Sequence, residues 1–567
     1  MKTKHSNRAA GLAIVLVALA PAWAVAAEEK VDLATIHRIK DEAFHNSRVM
    51  DHLFYLTDVN GPRLTNSPGQ RAAADWAVKS LKSWGIEDAR LETWGKFGRG
   101  WSLSRFTMSL REPVYAALPS VPLAWSSGTK GMVSGDAVLA PLFTAQELER
   151  NEDRDPAKLA ARIQKYAAEN KGKLKGRFVL LTEAREMVPP TEAAARRLDE
   201  KELGELREAP VPYVEPHVDW PIASLPDDKK KREQLLDAAP WEVVAEMRAR
   251  VRRMRDRLYT FFNQEGVLGV VTGDSRGSGG ILFAEAGGSW ETGAPIPPPR
   301  ISMAPESYGR LCRLVEKKIR VQLELEVEAT FDDSSPDGMN VVAEIPGGAK
   351  KDEVVMLGAH LDSWHSATGA TDNAAGSAVV LEAMRILKTL GLKMDRTVRL
   401  ALWTGEEQGI LGSRGYVKNH FADPITMKTR PEHAKLSGYF NLDNGTGKIR
   451  GVYLQGNDMM RPVFAAWIAP FDGMGAKTIS IKDTGGTDHL PFDAVGLPGF
   501  QFIQDPLDYS SRTHHSDLDV YDHVQEGDLM QAAAILASVV YNAATRPEML
   551  PRKPLPKPLP PKGAEPN

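Results

Sequence analysis

Cysteine is nearly absent. The 567-residue chain has one, Cys312, so it forms no internal disulfide and lacks the thiolate set of a zinc finger. An excess of one charge is missing too: 71 Lys and Arg face 74 Asp and Glu, a formal net charge of −3. Nucleic-acid binding needs a basic face, and this balance gives it no support. Long apolar runs are scarce. The run Ala9 to Ala20 falls short of the roughly 20 residues that span a membrane.

That run instead reads as the centre of a signal peptide over 1–27. Lys2, Lys4 and Arg8 precede it, and Ala24-Val-Ala26 and Val25-Ala-Ala27 offer small-residue cleavage sites. The expected location is exported, periplasmic or extracellular, with no membrane insertion after cleavage; an uncleaved anchor is the alternative. About 540 residues remain, too many for one core, so two or more domains are expected.

Residues 30–65 read as a helical lead-in and a loop. Arg71 to Trp84 then places Ala74, Ala77, Val78, Leu81 and Trp84 on one helical face, with Gly85 to end it. From about 128 the texture changes to short strand-like runs, Gly131 to Leu139, Gly176 to Leu181 and Gly266 to Val271. Between them, residues 185–260 form a charged elaboration. There Val244, Met247, Val251, Met254 and Leu258 give a helix one apolar stripe, and the arginines between 248 and 257 give it solvated faces. After Leu550 the composition turns to Pro and Lys, so 547–567 is expected to be a flexible tail.

Chemistry concentrates after 335. Gly358-Ala-His360-Leu-Asp362-Ser closes an apolar run, and Gly369-Ala-Thr-Asp372-Asn-Ala-Ala-Gly376 turns into a helix. Imidazole and carboxylate are the donors that zinc takes when thiolate is absent. Asp372, at a strand-to-helix turn, could reach two ions, although His-x-Asp taken alone reads more simply as a structural histidine. Two further strand-like runs end in Glu406-Glu407 and in Asp443, where open α/β sheets put their sites. Adjacent glutamates repel unless a cation or a chemical role offsets the cost. A fourth cluster holds Arg512, His514, His515 and Asp519.

These motifs, in this order, resemble the di-zinc exopeptidase family of bacterial leucyl aminopeptidases, aminopeptidase Y, carboxypeptidase Q and glutamate carboxypeptidase. The likeness spans about 45–125 and 335–545. It implies that His360 and Asp443 bind one Zn2+, Glu407 and His515 the other, and that Asp372 bridges them. It makes Glu406 the general base and Asp362 the group that orients His360. The choice of His515 over His514 follows the family's spacing to Asp519. Gly485-Gly-Thr-Asp488-His489 and Gly496-Leu-Pro-Gly499 also match later family features. Carboxylate-rich sites accept Mn2+ or Co2+ as well, so zinc rests partly on the resemblance.

The implied fold is a three-layer α/β/α sandwich around a mixed, mostly parallel sheet. Its catalytic domain would be discontinuous, 28–127 and 311–546. Residues 128–310 resemble a protease-associated insertion domain, β-rich and acting as a wall beside the site. The expected substrate is a peptide cut at one end. Aminopeptidase is the preferred reading, with dipeptidase or carboxypeptidase the close alternative. Arg512 is a candidate for carboxylate contact, though an ordinary surface arginine is the simpler reading. Oligomeric state is not legible.

Three other readings fare worse. Gly273-Asp-Ser275-Arg-Gly277 fits the nucleophile elbow of serine hydrolases, but that elbow needs a helix straight after the serine. Here Gly277-Ser-Gly-Gly280 and another strand-like run follow. A non-catalytic scaffold is at odds with a full set of ligand types and a base. A glutaminyl cyclase would share the fold but use one zinc.

Overall fold

The computed structural model describes residues 29–143, 155–212, 225–228, 231–232, 235–236, 239 and 241–558. The expected signal peptide and residues 559–567 of the expected tail lie outside them. Strands run in chain order as β1 Arg90–Lys96, β2 Gly100–Glu112, β3 Ala116–Ala117, β4 Ser120–Pro122, β5 Val133–Phe143, β6 Phe178–Thr182, β7 Gly269–Gly273 and β8 Arg300–Met303. They continue as β9 Gln322–Asp332, β10 Asp337–Ile345, β11 Lys350–His360, β12 Arg396–Trp403, β13 Leu436–Asn441, β14 Ile449–Tyr453, β15 Thr478–Ser480 and β16 Gly499–Gln504. The helices are α1 Leu33–His45, α2 Val49–Phe54, α3 Pro68–Ser83, α4 Pro156–Asn170, α5 Glu200–Arg207 and α6 Trp241–Glu265. They are followed by α7 Pro305–Glu316, α8 Ala375–Thr389, α9 Leu411–His420, α10 Arg461–Ile468, α11 Leu490–Asp493 and α12 Glu526–Thr545.

The first sheet has the order β1-β10-β12-β11-β13-β16-β14-β15. Its centre, β12-β11-β13-β16, is parallel, while β1, β10 and β14 pair antiparallel. Central parallel strands are covered on both faces, and β11 is buried from Val354 to His360. Side chains alternate between faces along a strand. Val355, Leu357 and Ala359 therefore pack with α1, α2, α8 and α12, through residues such as Ile36, Leu53, Leu381 and Ile535. Val354 and Met356 pack the other way, with Trp403, Tyr416, Phe421 and Phe492 around α9 and α11. The result is the expected three-layer α/β/α arrangement with a mixed, mostly parallel sheet.

Helix α3 forms where its apolar spacing predicts, and Ala74, Ala77 and Leu81 are buried. Its start lies earlier than the apolar pattern suggests. Ser67 caps it, the hydroxyl accepting from Gln70 N at 3.2 Å, and Pro68 supplies a preset first turn.

The second sheet has the order β3-β2-β9-β5-β6-β7-β8-β4. It takes in β2 and β9, which pair along their whole lengths from Gly100↔Asp332 to Glu112↔Gln322. The texture change near 128 thus lies inside this sheet, because a ladder between distant segments leaves no local compositional mark. Helices cover both faces. Leu159 and Ile163 of α4 and Phe262 of α6 meet Val179 and Leu181 on one, and Tyr308, Leu311 and Cys312 of α7 meet Phe178 and Leu180 on the other. The inserted region carries more helix than its short strand-like runs suggest.

The charged elaboration does more than lie on that sheet. Trp241 at the head of α6 sits under the guanidinium of Arg414, 4.0 Å from the ring centre, and beside Gly409. Arg197 pairs with Asp505 at 2.9 Å and Asp528 at 2.8 Å, both on the first-sheet side. The expected flexible tail is docked through Lys553. Leu550 is buried, Arg552 donates to His433 O at 2.9 Å, and Lys553 Nζ lies 2.6 Å from Asp493. Prolines remove the segment's own donors, but its arginine and lysine find carbonyls and a carboxylate on the fold. Among the described residues no helix is long and apolar enough to cross a membrane.

Helix α8 carries a buried ionic cluster. Glu382 is fully buried and accepts from His52 Nε2 at 3.0 Å, Arg48 N at 3.0 Å, and Arg385 Nε and Nη2 at 2.8 and 2.9 Å. Burial alone would raise its pKa, but the hydrogen bonds from His52 and Arg385 win and bring it down to about 2. A lowered carboxylate pKa contributes stability in full above the unfolded value of about 4.5 and loses it as pH falls towards 2. Glu382→Ala leaves Arg385 buried without its main partner and should cost about 3–5 kcal/mol. Urea unfolding at pH 7 and pH 3 tests both, the difference between variant and parent shrinking at the lower pH.

Candidate metal centre

Three neighbouring parallel strands bring their carboxyl ends to one place. His360 closes β11 and pairs with Trp403 at the end of β12, while Gly358 pairs with Asn441 at the end of β13. The loops beyond hold Glu406, Glu407 and Asp443. Asp372 comes in from the turn before α8, and His514 and His515 from the loop after β16.

Asp372 stands between two groups of donors. Its Oδ1 is 3.3 Å from His360 Nε2, which is 3.6 Å from Asp443 Oδ1. Its Oδ2 is 3.4 Å from His515 Nε2, and that nitrogen is 3.0 Å from Glu407 Oε2. His514 Nε2 is also near, 3.7 Å from the same Asp372 oxygen. The donor atoms of His360, Asp372 and Asp443 lie within 4.8 Å of one another, as do those of Asp372, His514 and His515. His360 Nε2, Asp372 Oδ2 and Glu407 Oε1 are buried with no hydrogen-bond partner. Buried polar atoms are ordinarily satisfied. Orphans that converge from imidazole and carboxylate fit a divalent cation of the zinc type.

Electrostatics lead the same way. Burial, with Asp488, Asp443 and Glu407 nearby, pushes Glu406 well above the usual carboxylate range despite His360. Burial and the charge of Asp372 raise Glu407 to about 8, and burial takes Asp488 and Asp519 to about 7. For Asp372 burial is outweighed by the adjacent His360 ring and the charges of His514 and His515, which hold it below the usual range. Despite burial, Asp443, Asp362 and Asp372 push the His360 ring well above the usual imidazole range. Anionic groups crowded this closely call for positive charge, which a metal ligated through the imidazole lone pairs would supply in place of protons.

Asp362 is placed differently from expectation. The Nδ1 of His360 is 3.0 Å from the main-chain carbonyl of Asp362, while its carboxylate stands 3.6 Å away. That carboxylate instead accepts from Thr65 Oγ1 at 2.9 Å and from the amides of Glu406 and Glu407 at 3.3 Å each. Its oxygens are engaged by the Glu406-Glu407 loop, so the ring turns to the carbonyl. Gly405 opens that loop at φ +70°, a backbone region that favours glycine. Its amide donates to Thr65 Oγ1 at 3.1 Å.

Residues 340–540 match the model described as Peptidase family M28. That segment, about a third of the chain, is similar to peptidase family M28. Carboxypeptidase Q of Rattus norvegicus is 32% identical over 248 residues, 44% of this chain and 50% of its own length. Aminopeptidase YwaD of Bacillus subtilis (strain 168) is 29% identical over 207 residues, 35% of this chain and 43% of its own length. The chain thus spans half or less of the length of these curated relatives. A solved peptidase M28 precursor from Shewanella amazonensis SB2B shares the fold, with a TM-score of 0.61 at 23% identity, over 92% of this chain and 98% of its own.

Several residues that organise this site carry no motif. Arg63 is fully buried and donates to four main-chain carbonyls, those of Leu361 at 2.7 Å, Leu56 at 2.8 Å, Thr368 at 2.6 Å and Gly369 at 2.7 Å. Asp519 accepts from the amides of Thr371 at 2.5 Å and Asp372 at 3.2 Å. Glu285, from the second sheet, lies 2.8 Å from His515 Nδ1. A lone Arg-Leu-Thr or an exposed glutamate gives no signal in one sequence; their roles arise mainly from contacts some 150 to 300 residues away. Arg512 is exposed, and Ser275 sits exposed in a turn with no helix after it.

Arg63→Met should leave four carbonyls without their donor and cost about 3–5 kcal/mol, with the loop 361–369 losing order first. Thermal unfolding and amide hydrogen exchange across that loop measure it.

Proposed function

We propose that this chain is an exported di-zinc exopeptidase that removes N-terminal residues from peptides. The observation that carries the reading is Asp372, whose two oxygens face His360 at 3.3 Å and His515 at 3.4 Å. His360 and Asp443 would hold one ion, Glu407 and His515 the other, and Asp372 both. Bound there, the ions supply Lewis acidity, which lowers the pKa of water to about 7 and stabilises developing negative charge.

The chain's own part is proton handling and orientation. Glu406 is buried next to Glu407, and its side chain makes none of the close contacts to Asp372, His360 or His515 that Glu407 makes with His515. It takes a proton from the attacking water as oxygen bonds to the carbonyl carbon, and delivers it to the nitrogen as the C–N bond breaks. Asp362 keeps Glu406 and Glu407 at their posts through their amides. Trp364, Ser366, Gly369 and Ser516 line the cleft next to Asp372, Glu407 and His515, where the end of a peptide would lie. The basic and apolar start of the chain supports export, and the elaborated second sheet supports the reading of an inserted wall beside the site.

A second reading, dipeptidase or carboxypeptidase of the same fold, is favoured by the similarity to carboxypeptidase Q. Peptides with free or acetylated N-termini and free or amidated C-termini separate the two. Loss of cleavage on acetylation alone supports the aminopeptidase, loss on amidation alone the carboxypeptidase.

Glu406→Gln should keep its metal and lose about 10²- to 10⁴-fold in kcat. Metal analysis alongside steady-state kinetics checks it, and an active variant removes Glu406 as base. Chelation should abolish turnover, with Zn2+ restoring it and Mn2+ or Co2+ substituting in part.

A further inference from the structure

The turn Gly273-Asp274-Ser275-Arg276-Gly277 has a use unconnected with a serine nucleophile. Asp274 is buried, and its carboxylate accepts from the amides of Arg276 at 2.8 Å, Gly277 at 2.6 Å and Phe283 at 2.6 Å. Three amides on one carboxylate fold the chain back on itself after β7 and send residues 281–286 towards the metal centre. There Leu282 N donates to Asp517 Oδ1 at 2.9 Å, Asp517 N to Leu282 O at 3.0 Å, and Ala284 N to His515 O at 3.0 Å.

This short ladder flanks a strained residue. His515 has φ +65°, a region that side chains with a Cβ enter at a cost and keep only when neighbours enforce it. Glu285 completes the enclosure, its Oε1 2.8 Å from His515 Nδ1. With Nδ1 donating to that carboxylate, the lone pair lies on Nε2, which faces Asp372 and Glu407. The ring of Trp364, 5.9 Å away and edge-on, closes another side of the imidazole.

We propose that Glu285 is a positioning residue for the metal centre: delivered by the second sheet, it fixes the tautomer and aim of His515, so that ion binding at the Glu407–His515 half depends on the seating of that sheet. The inference rests on the proposed role of His515 as a ligand. It also explains how His515, rather than its neighbour His514, is presented. A carboxylate behind a ligating imidazole typically changes metal affinity by 10- to 100-fold.

The test uses the full chain loaded with Zn2+ and titrated against a chromophoric chelator, with Co2+ absorption as a second signal. The parent should release two ions in resolvable steps. Glu285→Ala should release one of them about 10- to 100-fold more readily and alter the Co2+ spectrum, leaving the other ion and the melting temperature of the metal-free protein unchanged. Glu285→Gln, whose amide oxygen still accepts from Nδ1, should recover most of the affinity, whereas Glu285→Met, of similar size but with no such acceptor, should not, which a role in packing alone would not produce. Retention of both ions at parental affinity in Glu285→Ala overturns the inference. A parent that binds no Zn2+ overturns the metal reading itself, a distinct outcome.

Discussion

Mutual repulsion among buried carboxylates is the constraint around which this molecule is built. Asp362, Asp372, Glu406, Asp443, Asp488 and Asp519 are all buried, and the side chain of Glu407 is nearly so. Gathering them out of water is costly unless each finds hydrogen bonds or positive charge. The chain meets the demand in three ways. Main-chain amides serve Asp362 and Asp519, the imidazoles of His360 and His515 serve Asp372, and the Arg63 guanidinium spreads its charge through the loop they share. What these leave uncompensated sits at the convergence of Asp372, Glu407 and Asp443.

Much of this was readable from the residues alone. His360, Asp372, Glu406, Glu407 and Asp443 sit at strand ends or the turn into α8, and short apolar runs before them read as strands. The central sheet was legible for the same reason, since parallel strands buried on both faces advertise themselves as continuous apolar runs. What stayed hidden was long-range. The ladder of β2 on β9 joins segments more than 200 residues apart, and neither strand looks unusual alone. Asp362 shows a subtler limit. Its neighbourhood to His360 was clear, but not that the Glu406-Glu407 amides compete for its oxygens.

The boundary between the two sheets is a working surface. Trp241 beneath Arg414, Arg197 between Asp505 and Asp528, and residues 281–286 alongside 515–517 are three separate seams. Their chemistries differ: a cation over an aromatic face, a charged pair of partners, and a main-chain ladder. Together they set the second sheet against the loops that follow β12 and β16, where Glu407 and His515 reside.

The pairing of Gly100 with Asp332 has a consequence for the architecture as a whole. Chain enters the second sheet and leaves it through adjacent residues, one opposite the other on antiparallel strands. A region so inserted can be exchanged, enlarged or lost with only a short connection to close, while β11, β12 and β13 keep their order and their ends. The proposed ligands His360, Asp372, Glu407, Asp443 and His515 all lie outside it, whereas Glu285 goes with it. Variation within the insert could therefore change what stands behind His515 without replacing any of the proposed ligands.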